Sequence, residues 1–328
     1  MLKKFHKVYG IDMGTSNTVI CEKGKGIVLS EPSVAAVDQR NGELIAAGAE
    51  AQAMIGRAPS HVTIHNPLVD GAIANFHVTS QMLQFFMKKV HARASVFGSI
   101  RVYMSVPCGV TGVQKRAVEE TVVCKGAQKA ITIEEPLAAA IGAGLQVQEP
   151  IGHLVLDIGG GTSQAAILSL GGIVASHSLN RGGVALDREI MDYVKKKHKL
   201  EIGERTAEAV KMQIGTAIDL AEEKRMEIRG RDMVTGLPRS IQVTSKEIYT
   251  VLNEFIVELI DLIRATIEQC PPELSGDVME QGVLLCGGGA LLDGIGERIR
   301  QETGVPVYLA DRPLECTALG TGMLAVNR

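Results

Sequence analysis

Two short stretches carry residues suited to holding phosphate. In Asp12-Met13-Gly14-Thr15-Ser16-Asn17-Thr18 a glycine lets the backbone come close to a ligand, while turn N–H groups, three hydroxyls and an amide supply hydrogen-bond donors. Asp157-Ile158-Gly159-Gly160-Gly161-Thr162 repeats the pattern with three successive glycines. Taken singly, each also reads as a tight turn with no ligand. Their occurrence at corresponding places in two halves of the chain favours phosphate. Asp12 and Asp157 aimed at a polyphosphate would repel it, so the pattern asks for a hard cation; Mg²⁺ is the expected ion, held directly or through its waters. No GxxxxGK[ST] motif is present, and strand-to-strand turns are not the strand-to-helix turn of a dinucleotide fold, which disfavours a P-loop enzyme or a dehydrogenase.

Two further stretches could join such a site. The apolar run Val283-Leu284-Leu285-Cys286 leads into Gly287, Gly288, Gly289 and Ala290 and then an amphipathic helix. Glycines there let a flat base lie on the backbone, or serve close helix-strand packing. Glu134-Glu135-Pro136 puts a carboxylate at a helix start, with small residues behind it that allow close approach of another element. Without the phosphate loops, Glu135 would read as a carboxylate favoured by the helix dipole.

The elements that must position these residues alternate between extended and helical, an α/β pattern. Lys7–Ile11 and Val19–Cys21 read as a hairpin around the first loop. A capping box at Thr244-Ser245-Lys246-Glu247 opens a long amphipathic helix with apolar residues at Ile248, Val251, Leu252, Phe255, Ile256, Leu259, Ile263 and Ile267, closed by Pro271-Pro272. Thr111-Gly112-Val113-Gln114 opens another, expected to stop at Gly126. The echo of the first loop in the second is a faint internal duplication, which predicts a ligand held in the crevice between related halves.

Composition narrows the class. At 328 residues and 45% hydrophobic, the chain is long enough for two domains with their own cores. A net charge of −3 gives no reason to expect nucleic acid as partner. The six cysteines show no CxxC pair and no histidine at zinc-ligand spacing, which predicts free thiols in a reducing cytoplasm. His61 and His65 read as loop or surface histidines between Pro59 and Pro67. The basic start is not followed by an apolar signal-peptide core, and no run of about 18 apolar residues exists, so any membrane contact is expected to be peripheral.

The order DMGTSNT, IEEPLAAAIGAG, LDIGGGTS, IGERTAEAVKMQIG, RGRDMVTGLPR and LLCGGGALLDG resembles the actin, heat-shock-70 and sugar-kinase ATPase superfamily, and within it the MreB family of bacterial actin-like, rod-shape-determining proteins. The resemblance covers essentially the whole chain, and IGERTAE and RGRDMVTGLPR are its most specific segments. It implies two duplicated RNase H-like domains, each with a smaller subdomain, around a nucleotide cleft. The implied boundaries are 1–30, 72–142 and 309–328 for subdomain IA, 31–71 for IB, 143–180 and 246–308 for IIA, and 181–245 for IIB. It implies ATP with Mg²⁺ as ligand, GTP being an alternative, with Asp12, Gly14, Thr15, Ser16 and Asn17 in the first phosphate loop and Gly159, Gly160, Gly161 and Thr162 in the second. Glu135 and Thr162 would hold the water that attacks the γ-phosphate. Glu204, Glu208 and Lys211 would lie near ribose and base, a solvated helix face being the other reading of Glu204 and Lys211, and Gly287, Gly288, Gly289 and Ala290 would lie beneath the adenine. Ser163, Gln164, Val184, Asn66 and Asn75 depart from the family pattern, while the nucleotide loops keep it.

The resemblance further implies filaments of the chain itself, held peripherally on the inner face of the cytoplasmic membrane and working with the cell-wall elongation machinery. Ser95–Ile100, with Val96 and Phe97 after a basic helix end, resembles the family's membrane-insertion loop; ordinary core packing is the other reading of Phe97. A soluble small-molecule kinase or a chaperone-like ATPase of the same superfamily is the alternative. The first would need a base facing its substrate, which the sequence does not offer, and the second a substrate-binding region after Arg328.

Overall fold

The structure is a computed structural model that describes residues 7–91, 100–123 and 129–324. The chain divides into two compact units. The first is Met1–Pro150 with Leu168–Ile173 and Leu314–Arg328; the second is Ile151–Ile167 with Val174–Pro313.

The chain runs β1 (Lys7–Met13), β2 (Asn17–Glu22), β3 (Gly26–Pro32), β4 (Ala35–Asp38), β5 (Leu44–Ala47), α1 (Ala49–Ala53), β6 (Val62–His65), β7 (Leu68–Val69), β8 (Ala72–Ile73), α2 (Phe76–His91), β9 (Ile100–Val106), α3 (Gly112–Val123), β10 (Lys129–Glu134) and α4 (Glu135–Gly142). It continues through β11 (His153–Ile158), β12 (Ser163–Ser169), β13 (Gly172–Leu179), α5 (Gly183–His198), β14 (Leu200–Glu201), α6 (Glu204–Ile214), β15 (Arg225–Asp232) and β16 (Pro238–Thr244). The last elements are α7 (Ser245–Glu268), α8 (Pro272–Gln281), β17 (Val283–Cys286), α9 (Ile295–Thr303), β18 (Val307–Leu309) and α10 (Cys316–Leu324).

The first unit is built on a sheet of order β3-β2-β1-β9-β10, antiparallel across β1, β2 and β3 and parallel across β1, β9 and β10. A small sheet of order β5-β4-β6 accompanies it. His65 ends β6 opposite Ala35 and is partly exposed, so of the loop and surface readings the loop one does not hold. The helix opened by Thr111 has its capping box, with Thr111 Oγ1 accepting from the Gln114 N–H and Gln114 Oε1 accepting from the Thr111 N–H. Its expected stop, Gly126, lies outside the described residues.

The small residues after Glu135 have a definite partner. A Cβ on Gly142 of α4 would fall 1.8 Å from the Cys316 carbonyl oxygen, and one on Gly320 of α10 would fall 1.8 Å from that of Ala138. The two helices therefore touch backbone to backbone. Gly10 of β1 lets α10 lie as closely on the sheet, since a Cβ there would sit 2.3 Å from the Gly322 nitrogen. Glu135 thus begins a helix whose position is fixed by contacts that admit no added atom.

The second unit repeats the arrangement with order β13-β12-β11-β17-β18, parallel across β11, β17 and β18. Every residue of β11 is buried, the apolar Leu154–Leu156 run of an inner strand together with His153 and Asp157. The α7 capping box is formed as read, with Thr244 Oγ1 accepting from the Glu247 N–H and the Glu247 carboxylate accepting from that of Thr244. Its stripe, from Ile248 through Ile263, packs in one core with Leu154, Leu156, Ile190 and Val194. One expectation is corrected: no α-helix follows the glycines at once. A 3-10 turn, Gly288–Leu291, comes first, and Gly294 in the left-handed region breaks the chain before α9 starts at Ile295.

Candidate functional site

The two phosphate-loop candidates have the same geometry. In the first unit, β1 ends in a turn closed by the Gly14 N–H on the Asn17 carbonyl at 3.0 Å. In the second, β11 ends in a turn closed by the Gly159 N–H on the Thr162 carbonyl at 2.8 Å. The duplication read from the sequence is therefore structural, down to the hydrogen bond of the turn.

Around the first turn, the Ser33 hydroxyl donates to the Gly14 carbonyl at 2.6 Å and shares a 2.9 Å contact with the Thr18 hydroxyl. The Thr15 hydroxyl accepts from the Gly71 N–H at 3.1 Å. A planar trans peptide sets each carbonyl opposite the next N–H, so tying back the Gly14 carbonyl turns the Thr15 N–H away from Ser33. Asp12 takes a 2.7 Å hydrogen bond from Ser105 Oγ. Burial nevertheless pushes its carboxyl above the ordinary range, to about 6, with the Ser105 bond opposing. A cavity of about 120 Å³ is lined by Met13, Gly71, Ser105, Gln114 and Glu135 among others, so Glu135 shares a space with Ser105, the donor to Asp12, and with Gly71, the donor to Thr15.

The second turn is buttressed by the start of α5. The Gly183 N–H donates to the Gly159 carbonyl at 3.0 Å and the Val184 N–H to the Gly160 carbonyl at 2.8 Å. With both carbonyls turned to the helix, the N–H groups of Gly160 and Gly161 face the other way, as a phosphate cradle needs. Gly182 is required by this contact, because a Cβ would lie 2.5 Å from the Gly159 oxygen. Asp157 is buried, and Gly287 backs onto it: a Cβ there would meet Asp157 Oδ1 at 2.5 Å and the Ile158 oxygen at 2.4 Å. A Cβ on Gly289 would strike the Ile158 side chain at 2.2 Å. Close packing on β11 thus accounts for these two glycines, and Ala290 beside them is buried.

Of the α6 residues, Lys211 donates to the Gly183 carbonyl at 2.8 Å and pairs with Asp187 of α5 at 2.8 Å. Burial raises the Asp187 carboxyl to about 6; Lys211 pulls it down, and Glu208 and Glu204 push it up. Those four side chains form one electrostatic group, with Glu204 and Glu208 exposed. The strap after α6 is tied to the segment after the 3-10 turn by the Ala217 N–H on the Asp293 carbonyl at 2.7 Å, which holds α6 near Gly287–Ala290.

In the second unit the structure brings Lys211 and the Gly159–Gly160 carbonyls to the same Gly183 elbow and Gly287 against Asp157, and in the first it ties Asp12 to Ser105 and Thr15 to Gly71. Val96 and Phe97 lie outside the described residues. Sequence reasoning missed Ser33, Ser105, Asp187 and the Gly182-Gly183 pair, none of which belongs to a motif; the two adjacent glycines directly before an amphipathic run were the one available signal.

A family model described as MreB/Mbl protein matches residues 6–328. The chain belongs to the MreB/Mbl family. It is 45% identical over 323 residues to the cell shape-determining protein Mbl of Bacillus cereus, covering 98% of this chain and 97% of that one. It is also 45% identical over 330 residues to the cell shape-determining protein MreB of Escherichia coli, covering 98% and 95%. Among solved structures, MreB5 of Spiroplasma citri bound to ADP matches with a TM-score of 0.92 at 35% identity, over 98% of this chain and 96% of that one. The MamK double helical filament matches with a TM-score of 0.83 at 21% identity, a likeness of fold alone. The actin-like fold expected of an MreB/Mbl protein is the fold found, and among the described residues no helix is long and apolar enough to cross a membrane.

Proposed function

We propose that this chain is a filament-forming, cell-shape-determining actin-like ATPase that binds ATP with Mg²⁺ and organises cell-wall synthesis from the inner face of the membrane. The observation that carries the reading is the pair of matching turns, each at the end of an aspartate-bearing strand and each with its carbonyls tied back. The Mbl and MreB relatives are named for determining cell shape, and MreB5 has been solved with both ADP and AMPPNP. The four-part division expected from the resemblance belongs to this proposal, with the small sheets β5-β4-β6 and β14-β15-β16 in its IB and IIB parts.

In this reading the Gly14–Asn17 and Gly159–Thr162 turns meet the phosphates, with the N–H groups of Thr15, Gly160 and Gly161 and the loop hydroxyls as donors. Gly287–Ala290 support the base, while Glu204, Glu208 and the remaining Lys211 donor face the ribose. Glu135 and Thr162 hold the attacking water, since phosphoryl transfer depends mostly on alignment and charge stabilisation.

The donor set fits Mg²⁺. The Asp12 carboxyl is driven up by burial, against which the neutral Ser105 hydroxyl donates, so a hard cation would restore its ionised form. Among the described residues no group of three or more metal-ligating side chains exists, which suits an ion held mainly by phosphate oxygens and water. When bound, the ion supplies charge neutralisation for the phosphates.

Titration of a fluorescent ATP analogue with and without Mg²⁺, together with phosphate release, tests this. Mg²⁺-dependent binding lost in Asp157→Ala is expected, and unchanged binding in that variant counts against the site. Membrane contact through Val96 and Phe97 is proposed on the resemblance alone, and flotation of Phe97→Ala with anionic liposomes tests it.

A further inference from the structure

Arg181 stands just before the two glycines that buttress the second turn, and it is fastened on several sides. Its guanidinium binds the Glu189 carboxylate of α5 through Nη2 at 2.6 Å and Nε at 3.1 Å, and Glu258 of α7 through Nη1 at 2.7 Å. Glu254 of α7 lies at 4.0 Å, and the guanidinium carbon sits 5.7 Å from the centre of the Phe255 ring. The side chain is 18% exposed, so its pairs are less screened than surface bridges. The main chain of the same residue is held as well: its carbonyl accepts the hydroxyl of Ser163, the residue directly after the turn, at 2.9 Å.

An arginine that only braced α5 against α7 could stand at many places along either helix. This one occupies the position from which movement passes straight to the phosphate loop. One residue on, Gly182 touches the Gly159 oxygen; two and three residues on, the Gly183 and Val184 N–H groups hold the carbonyls of Gly159 and Gly160. Because each of those carbonyls is opposite the next N–H, a shift of the Arg181 backbone re-aims the Gly160 and Gly161 donors. Lys211, on the Gly183 carbonyl, pins the far side of the same elbow.

We propose that Arg181 is a positioning residue: by locking the Arg181-Gly182-Gly183 elbow to α5, α7 and β12, it preorganises the Gly159–Thr162 loop for the phosphates of a nucleotide. This rests on the nucleotide reading above. The guanidinium itself touches no ligand. Its effect is on affinity, because an unlocked loop must be ordered at the expense of binding.

The experiment compares the full chain with Arg181→Met, Arg181→Lys and Glu258→Gln, and with Arg231→Met, a control that removes an exposed guanidinium paired with Glu201. Three quantities are read: the melting temperature, hydrogen exchange of peptides spanning Leu156–Gln164 without nucleotide, and the Kd for an ATP analogue with Mg²⁺. Arg181→Met is expected to speed exchange in the loop and weaken ATP about tenfold, the scale of one charge-assisted hydrogen bond. Arg181→Lys, which keeps the charge but not the fork, should recover part of the loss, while Arg231→Met behaves as wild type. If Arg181→Met melts earlier yet keeps wild-type loop exchange and ATP affinity, Arg181 is only a brace and the proposal is overturned. Should Arg181→Met fail to fold, Arg181→Lys and Glu258→Gln decide by the same readings. If the wild-type chain binds no ATP, the nucleotide reading fails, and this proposal fails with it by a result that none of the variants produces.

Discussion

Replacing Asp12 by Asn should stabilise the nucleotide-free protein while removing its function. In the fold the Asp12 carboxyl titrates near 6, against an ordinary value of 3.8. At about 1.4 kcal/mol per pH unit, keeping it ionised at neutral pH costs on the order of 3 kcal/mol, an upper figure that relaxation around the group reduces. Asn has nearly the same shape and can still accept the Ser105 hydrogen bond, so it removes the charge without a cavity. The sign follows from linkage. The folded group keeps its proton to a higher pH than the unfolded one, so its contribution to stability is fully present below about pH 4 and is lost as pH rises through about 6. The variant's advantage should therefore be close to zero at the acid end, grow across that window and level off above it. Urea unfolding without nucleotide or Mg²⁺, from pH 4.5 to 8, measures this. An advantage that does not vary with pH, or a variant less stable than wild type at pH 8, would refute the reasoning. The same substitution should abolish Mg²⁺-dependent ATP binding.

Three other perturbations probe the frame that holds the site. Gly320→Ala drives a Cβ into the Ala138 carbonyl oxygen and should cost about 1–3 kcal/mol in urea unfolding as α10 is pushed from α4. Thr244→Ala removes one side of the α7 capping box and should cost about 1 kcal/mol in thermal melting, with no change in nucleotide affinity. Lys211→Met leaves the Asp187 carboxylate buried without its ammonium and should destabilise by roughly 3 kcal/mol at pH 8. Without the ammonium that pulls it down, the buried Asp187 carboxyl takes up its proton above the wild-type value of about 6, so that deficit should shrink as pH falls from 8 towards 6, and denaturation at two pH values distinguishes this from a packing defect.

What the sequence made legible was local. Gly14 and Gly159 could be read as turn glycines because strand, turn and strand are adjacent in the chain, and the α7 capping box because its partners are three residues apart. The small residues of α4 announced a close neighbour but not which one, since the contact joins Gly142 to Cys316 across the length of the chain. Ser33 and Ser105 were invisible for the same reason: each is an ordinary strand-end serine until sheet pairing carries it to Gly14 or Asp12. Lys211 was read as a nucleotide contact or a solvated charge. The structure gives its ammonium two partners of its own, Asp187 and the Gly183 carbonyl, which leaves one of three donors. Gly287 and Gly289 show how a motif can serve packing, since the atoms they make room for belong to Asp157 and Ile158.

The central claim is that nucleotide held by the two turns drives assembly of the chain. Sedimentation of the purified protein with and without ATP and Mg²⁺, beside Asp157→Ala and with electron microscopy of the pellet, tests it most directly. The account predicts filaments that require both ATP and Mg²⁺ and are absent in the variant. Filaments formed equally by Asp157→Ala, or a wild-type protein that binds ATP and stays monomeric at every concentration tried, would contradict it.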